Sequence, residues 1–168
     1  TPFNSTNPAV FLLKGTDHVT FRHLGFKALP SGYSDVLELR YSADHLTVSN
    51  CYFEGYHFGS SSVLIKCLNY GGFSDTMTIE NSYFLNGQQA IYLYNGGFSQ
   101  HEINIHQNTF VNQRFGGLDV SFIRGLYILN NKFTSNTTSS SYKAIDLNSS
   151  DKYIEISGND ISLSSAGS

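Results

Sequence analysis

Acidic, basic and phenolic side chains recur at one position of a repeated sequence pattern, where they could act in proton transfer. The pattern is a short segment with apolar flanks and a variable centre, and it returns about every 27 residues. The centres of its last five copies are Glu38, Lys66, Tyr92, Asp119 and Asp146. Carboxylates, amines and phenols serve proteins as general acids and bases. This series is therefore the first place to look for a site.

Asp119 and Asp146 form one candidate pair. On neighbouring parallel strands their carboxyl groups would come within about 5 Å of each other. Retaining glycosidases hold two carboxyl groups about 5–5.5 Å apart, and inverting ones about 6.5–9.5 Å apart. Close carboxylates also raise one pKa, which creates an acid and a base. The predicted catalytic residues are Glu38, Lys66, Asp119 and Asp146.

A second scheme uses proton abstraction. Lys66 or Tyr92 would remove the proton alpha to a uronate carboxylate, while Arg40 neutralises that carboxylate. This would be lyase or epimerase chemistry, and the sequence leaves both schemes open. The predicted substrate-binding residues are Arg40, Tyr92, Tyr94 and Arg114.

A purely structural interpretation of the same residues also stays open. Charged side chains at outward positions of strands are commonly just solvated. Glu38 and Lys66 could form an ion pair between strands worth under about 1 kcal/mol. Tyr52 and Tyr83 are predicted to stack across neighbouring strands.

An eight-residue phrase follows each segment and defines the elements that must position it. Its six copies end at residues 26, 53, 84, 110, 133 and 161. Apolar residues at positions 1 and 3 around a mostly polar position 2 predict a half-buried strand. Position 6 is Asn in three copies, and position 8 is Phe in five. We predict a turn at positions 4 to 6, a hydrogen-bonded Asn ladder and a core column of Phe rings.

Two repeat folds fit this phrase. A leucine-rich repeat needs an apolar residue three positions before the phrase, and those positions are mostly polar here. The return segments also have poor helix propensity. Over roughly residues 10–161 the pattern instead resembles the right-handed parallel β-helix of the pectin-lyase-like superfamily. The resemblance implies an all-β solenoid of about six coils with three short parallel sheets.

The resemblance also implies a kind of function. Members of this superfamily are mostly secreted or surface-exposed, mostly bind or act on polysaccharides, and usually place the substrate groove over the first sheet. The motifs of alginate epimerases, polygalacturonases and pectate lyases are absent from this sequence. We expect a module that binds or processes polysaccharide, as a lyase, glycoside hydrolase or epimerase. The alternative is a non-catalytic structural or adhesive stalk.

Composition excludes other classes. The 168 residues carry a net charge of −3, and only 14% are charged, so no basic excess exists to hold nucleic acid. No apolar run approaches the roughly 20 residues of a membrane helix. We expect residues 1–168 to be one β-helix segment of a longer secreted or cell-surface protein. Its expected partners are polysaccharide or cell-surface glycan and other domains of the same chain, with no nucleic acid and no membrane insertion.

The cysteines and histidines predict no cofactor and no metal site. Cys51 and Cys67 have no spacing typical of a metal pair and are expected to be buried thiols. His18, His45 and His101 all fall just before the second strand of their repeats. A shared metal would need them on neighbouring coils at one phase, and the coil between His45 and His101 supplies no histidine there.

Overall fold

The chain is built from three parallel β-sheets. The computed structural model describes residues 9–28, 35–41, 45–56, 62–69, 75–95, 101–137, 139–150 and 152–164. Within these ranges every regular element is a strand and no helix occurs. Each sheet has six strands, and the chain forms a parallel β-solenoid, or β-helix, of about five turns. The predicted all-β solenoid with three parallel sheets is confirmed, and the six strands of each sheet span about five turns, against six predicted coils.

The chain visits sheets 1, 2 and 3 in turn and then returns to sheet 1. Three consecutive strands form one rung, and the rungs are numbered 1 to 6 from the N-terminus. Sheet 1 contains β1 (Phe11–Lys14), β4 (Leu37–Arg40), β7 (Val63–Asn69), β10 (Gln89–Asn95), β13 (Gly116–Ser121) and β16 (Lys143–Asn148). Sheet 2 contains β2 (Thr20–Arg22), β5 (Leu46–Ser49), β8 (Asp75–Glu80), β11 (His101–His106), β14 (Leu126–Leu129) and β17 (Ile154–Ser157). Sheet 3 contains β3 (Gly25–Lys27), β6 (Tyr52–Glu54), β9 (Tyr83–Leu85), β12 (Thr109–Val111), β15 (Lys132–Ser135) and β18 (Asp160–Leu163).

A single left-handed residue turns the chain between sheets 2 and 3 in every rung. It occupies position 5 of the phrase, and its φ lies between 48° and 66° in all six copies. Asn and Gly tolerate this conformation best, which accounts for the residue types at this position. At Gly158 a Cβ would meet the side-chain oxygen of Asn130, which would have to move aside. The six residues are His23, Asn50, Asn81, Gln107, Asn130 and Gly158.

The phenylalanines of position 8 form the predicted column in the core. Rings in successive rungs from Phe26 to Phe133 stack face to face, with centroids 4.6–5.0 Å apart. Phe84 and Phe110, in the middle of the column, are fully buried. Ile161 continues the register beside Phe133 but is 50% exposed, because β18 has a neighbouring strand on one side only.

The predicted asparagine ladder is also present. Asn131 Nδ2 donates a hydrogen bond to the Ile105 carbonyl at 2.8 Å. Its Oδ1 accepts from the backbone N–H of Asn108 at 2.9 Å, and Asn159 repeats this arrangement one rung later. In rung 3 the hydroxyl of Ser82 serves the same turn. The ladder satisfies buried backbone groups that the sheets leave unpaired at the corner.

On the outside of sheet 3, Tyr52 and Tyr83 stack as predicted, with ring centroids 5.8 Å apart. Cys51 and Cys67 are buried thiols, and neither forms a disulfide.

Candidate functional site

The predicted series of variable residues lies in a straight line along sheet 1. Glu38 is paired in register with Lys66, Lys66 with Tyr92, Tyr92 with Asp119, and Asp119 with Asp146. Neighbouring strands are about 4.8 Å apart, so these residues form one outward column. The predicted order of the column is confirmed, and its members differ in their surroundings.

A pocket of about 350 Å³ opens over rungs 4 to 6 of sheet 1. Two elements of sheet 1, β13 and β16, supply Asp119 and Asp146 from adjacent strands. Residues between the sheets, at 115 and 141, contribute to the wall. The lining residues are Gln89, Phe115, Gly116, Leu118, Asp119, Ser141, Lys143 and Asp146.

Each pocket carboxylate has its own hydrogen-bond donor. Gln89 Nε2 donates to Asp119 Oδ2 at 2.9 Å, and Lys143 Nζ donates to Asp146 Oδ2 at 2.5 Å. Gln89, Gly116 and Lys143 are aligned in register on three neighbouring strands. A Cβ at Gly116 would lie 2.8 Å from the Lys143 carbonyl oxygen, so glycine permits the close approach of β13 to β16 there.

The two carboxylates differ electrostatically. Burial raises the pKa of Asp119, and the nearby charge of Asp146 raises it further, against the opposing effects of Gln89 and Lys143. The hydrogen bond to Asp146 raises the pKa of Lys143, which therefore stays a cation beside that carboxylate. The pocket thus combines an aspartate that holds its proton more readily with one that faces an ammonium group.

Glu38 lies at the opposite end of the column in a different environment. Although its position points outward, the side chain is only 1% exposed. Its Oε1 accepts from Arg40 Nη2 at 2.7 Å and from Arg40 Nε at 2.8 Å, while Oε2 is buried with no hydrogen-bond partner. Arg40 is thereby engaged by Glu38, four strands from Asp146.

The structural interpretation of the sequence suggested an ion pair between Lys66 and Glu38, but Lys66 binds another carboxylate. Its Nζ lies 2.7 Å from Asp35 Oδ2, and Asp35 Oδ1 accepts from the backbone N–H of Val63 at 3.1 Å. Asp35 precedes the strand and is buried, so it offers the ammonium group a fixed partner. Lys66 is separated from Asp119 by the whole of β10. The structure therefore brings Asp119 and Asp146 into the pocket, and it leaves Glu38 and Lys66 outside it.

The predicted substrate contacts are also divided. Arg114 is exposed, and its guanidinium lies 5.0 Å from the ring centre of Phe115 at the pocket wall. Tyr92 is half-buried beside Asp119. Tyr94 packs edge-on against Phe122, with ring centroids 5.6 Å apart. Arg114 and Tyr92 are therefore the predicted contacts that lie next to residues of the pocket lining.

Gln89 and Lys143 were missed by the sequence analysis. Gln89 lies three residues before Tyr92, and Lys143 lies three residues before Asp146. Both are aligned with Gly116 on the strand between them. Extending the repeat by three positions would have placed them in one column. Phe115 lies between two sheets, outside the repeat, and no sequence pattern marks it.

A separate group of side chains could hold a metal ion at the other end of the solenoid. Asp17, His18 and His45 lie on rungs 1 and 2, and one donor atom from each is within 4.8 Å of the others. His18 and His45 are at one phase on neighbouring rungs, which is the arrangement that a shared ion requires. The side chain of His101 lies outside the described part of the structure.

In the part of the chain that the structure describes, no helix is long and apolar enough to cross a membrane. Searches against protein-family models, curated proteins and solved structures each find no match to this chain.

Proposed function

We propose that this β-helix, of the pectin-lyase-like kind, binds or processes polysaccharide outside the cell through the pocket on sheet 1. One observation carries the proposal: Asp119 and Asp146 stand on adjacent strands in a pocket large enough for a sugar ring. Ligand sites are typically concave, with a few convergent polar groups among apolar ones.

The lining suits a glycan. Phe115 supplies an aromatic surface, and Arg114 beside it adds a cation at the rim. Gln89 and Lys143 supply amide and ammonium donors that can reach hydroxyl or carboxylate oxygens. A uronate-containing chain would use the two cations, and a neutral chain would rely on the ring and the amide.

Hydrolysis of a glycosidic bond is the reaction that these residues support best. Asp119, whose pKa is raised, would protonate the leaving oxygen. Asp146 would act as the nucleophile or base, and the spacing of adjacent strands suits a retaining mechanism. The proton-abstraction scheme is less favoured, because Lys66 is bound to Asp35 and Arg40 to Glu38.

The test combines binding and turnover on a panel of neutral and uronate polysaccharides. Asp119→Asn and Asp146→Asn should each lower the release of reducing ends by about a hundredfold or more, since each removes one of two acid–base groups. Asp160→Asn, which neutralises an exposed carboxylate of β18, should leave turnover unchanged. Binding without turnover, weakened by the pocket variants, supports a binding module.

The alternative is a non-catalytic stalk with structural or adhesive function. The internal pairing of Glu38 with Arg40 and of Lys66 with Asp35 favours it, because paired charges over rungs 2 and 3 act within the fold. If the protein neither binds nor cleaves any polysaccharide of the panel, the stalk function replaces the proposal.

A further inference from the structure

The turns that lead into sheet 2 place two imidazoles and a carboxylate together on rungs 1 and 2. His45 Nδ1 lies 2.9 Å from Asp17 Oδ1, and His18 Nε2 lies 3.6 Å from Asp17 Oδ2. The rings of His18 and His45 stack with centroids 4.3 Å apart and an interplanar angle of 16°. The group is accessible, since Asp17 and His18 are exposed and His45 is partly so.

The two separations from Asp17 are close to those of ligands around one ion. Zinc binds His nitrogen and carboxylate oxygen at about 2.0–2.2 Å in a tetrahedral arrangement, which places two ligand atoms about 3.4 Å apart. The distances to the two histidines, 2.9 Å from Asp17 Oδ1 and 3.6 Å from Asp17 Oδ2, lie on either side of this value. A set of two imidazoles and one carboxylate suits zinc, copper or nickel better than calcium or magnesium.

The backbone holds the two histidines in place. His18 and His45 have φ of 55° and 51°, in the left-handed region, at equivalent turns of consecutive rungs. The strands that follow these turns are paired in register, with Thr20 beside Thr47. The turns are therefore fixed relative to each other by the sheet, and an ion would take the place of the hydrogen bond between His45 and Asp17.

We propose that Asp17, His18 and His45 form a surface site for a divalent transition-metal ion, with the remaining coordination positions filled by water. The site lies on rungs 1 and 2, whereas the acidic pocket lies on rungs 4 to 6. It does not depend on the proposed action on polysaccharide, and either proposal can fail alone.

The experiment titrates Zn²⁺ into the full chain, prepared without a histidine tag, by isothermal calorimetry, with Co²⁺ absorption as a second readout. One ion per chain is expected, and Ca²⁺ should not compete. His18→Asn and His45→Asn should each weaken Zn²⁺ binding by more than about tenfold. Asparagine is the replacement because it tolerates a positive φ and preserves the turns.

His23→Asn is the matched control. His23 is an exposed histidine with φ of 55°, on the same rung as His18 but outside the group. Unchanged affinity in this variant, with loss in the other two, supports the site. Absence of stoichiometric binding, wild-type affinity in both His18→Asn and His45→Asn, or an equal loss in His23→Asn would overturn it. If one cluster variant fails to fold by circular dichroism, the other decides.

Discussion

Inward and outward columns of the same rungs follow different rules. The inward columns of the strands stay apolar, and the most regular of them repeats one residue type in the stacked rings of Phe53, Phe84 and Phe110. The outward column of sheet 1 changes type at nearly every rung. An inward position meets apolar neighbours above and below, so an apolar side chain of similar size fits each time. An outward position meets its own set of side chains, and these sets differ between Glu38 and Asp119.

Two acidic residues of the outward column show how much the surrounding side chains matter. Glu38 is buried and bound by Arg40, whereas Asp119 lines an open pocket beside Asp146. Both side chains have the same phase on the same sheet. Their surroundings, and not their direction, decide which of them can meet a ligand.

The inward column should be the most sensitive to truncation. Phe84→Ala removes a fully buried ring between two stacked neighbours and should lower the free energy of unfolding by about 3–5 kcal/mol. Urea titration measures the change. Tyr83→Ala, the adjacent outward residue on β9, is the control and should cost much less. Equal losses in both variants would contradict the distinction between the two columns.

The Arg40–Glu38 pair should be an exception to the rule that outward positions tolerate substitution, because Glu38 points outward but is buried like a core residue. Arg40→Ala leaves a buried carboxylate unpaired and should cost about 3 kcal/mol, since Arg40 itself is 29% exposed. The double variant Glu38→Gln with Arg40→Ala removes the stranded charge and should recover part of that loss. Arg22→Ala, an exposed arginine of β2, is the control. If Arg40→Ala leaves the free energy of unfolding unchanged, Glu38 does not depend on Arg40 and behaves as a solvated surface residue.

Removing one member of the asparagine ladder should lower the free energy of unfolding by less than the two changes above and by more than a surface substitution does. Asn131→Ala removes the acceptor of the Asn108 N–H and the donor to the Ile105 carbonyl, at a cost of roughly 1–3 kcal/mol. Asn104→Ala, on the outer face of β11, controls for loss of an amide. A neutral result for Asn131 in urea titration would show that the ladder adds nothing to the stability of the inward columns.

Repetition explains how much could be predicted. The strands and their register recur in every rung, Phe recurs in five copies of the phrase and Asn in three, so the sequence contains several copies of each signal. The adjacency of Asp119 and Asp146 follows from the same register. Glu38 is held by the side chain of Arg40. Lys66 is held by Asp35, which lies before β4 and outside the repeated segment. Such features occur once, and periodicity carries no information about them.

Asp119 offers the smallest and most specific test of the open end of the column. Burial, with help from Asp146, raises its pKa, so the folded state holds this proton more tightly than the unfolded chain does. The contribution of Asp119 to the free energy of unfolding therefore falls as the pH rises from its unfolded pKa, about 3.9, through its folded pKa. Asp119→Asn should be more stable than wild type at pH 7 and equal to it at pH 3.

Urea titrations at the two pH values measure this difference, and Asp160→Asn shows whether removing any exposed carboxylate has the same result. If wild type instead gains stability over Asp119→Asn as the pH rises, the ionised carboxylate is the form that the fold prefers. The pocket would then resemble the Glu38 cluster, as a set of charges that the protein neutralises internally. The opposite outcome keeps Asp119 as a group under electrostatic strain in an open pocket, which is the condition for an acid.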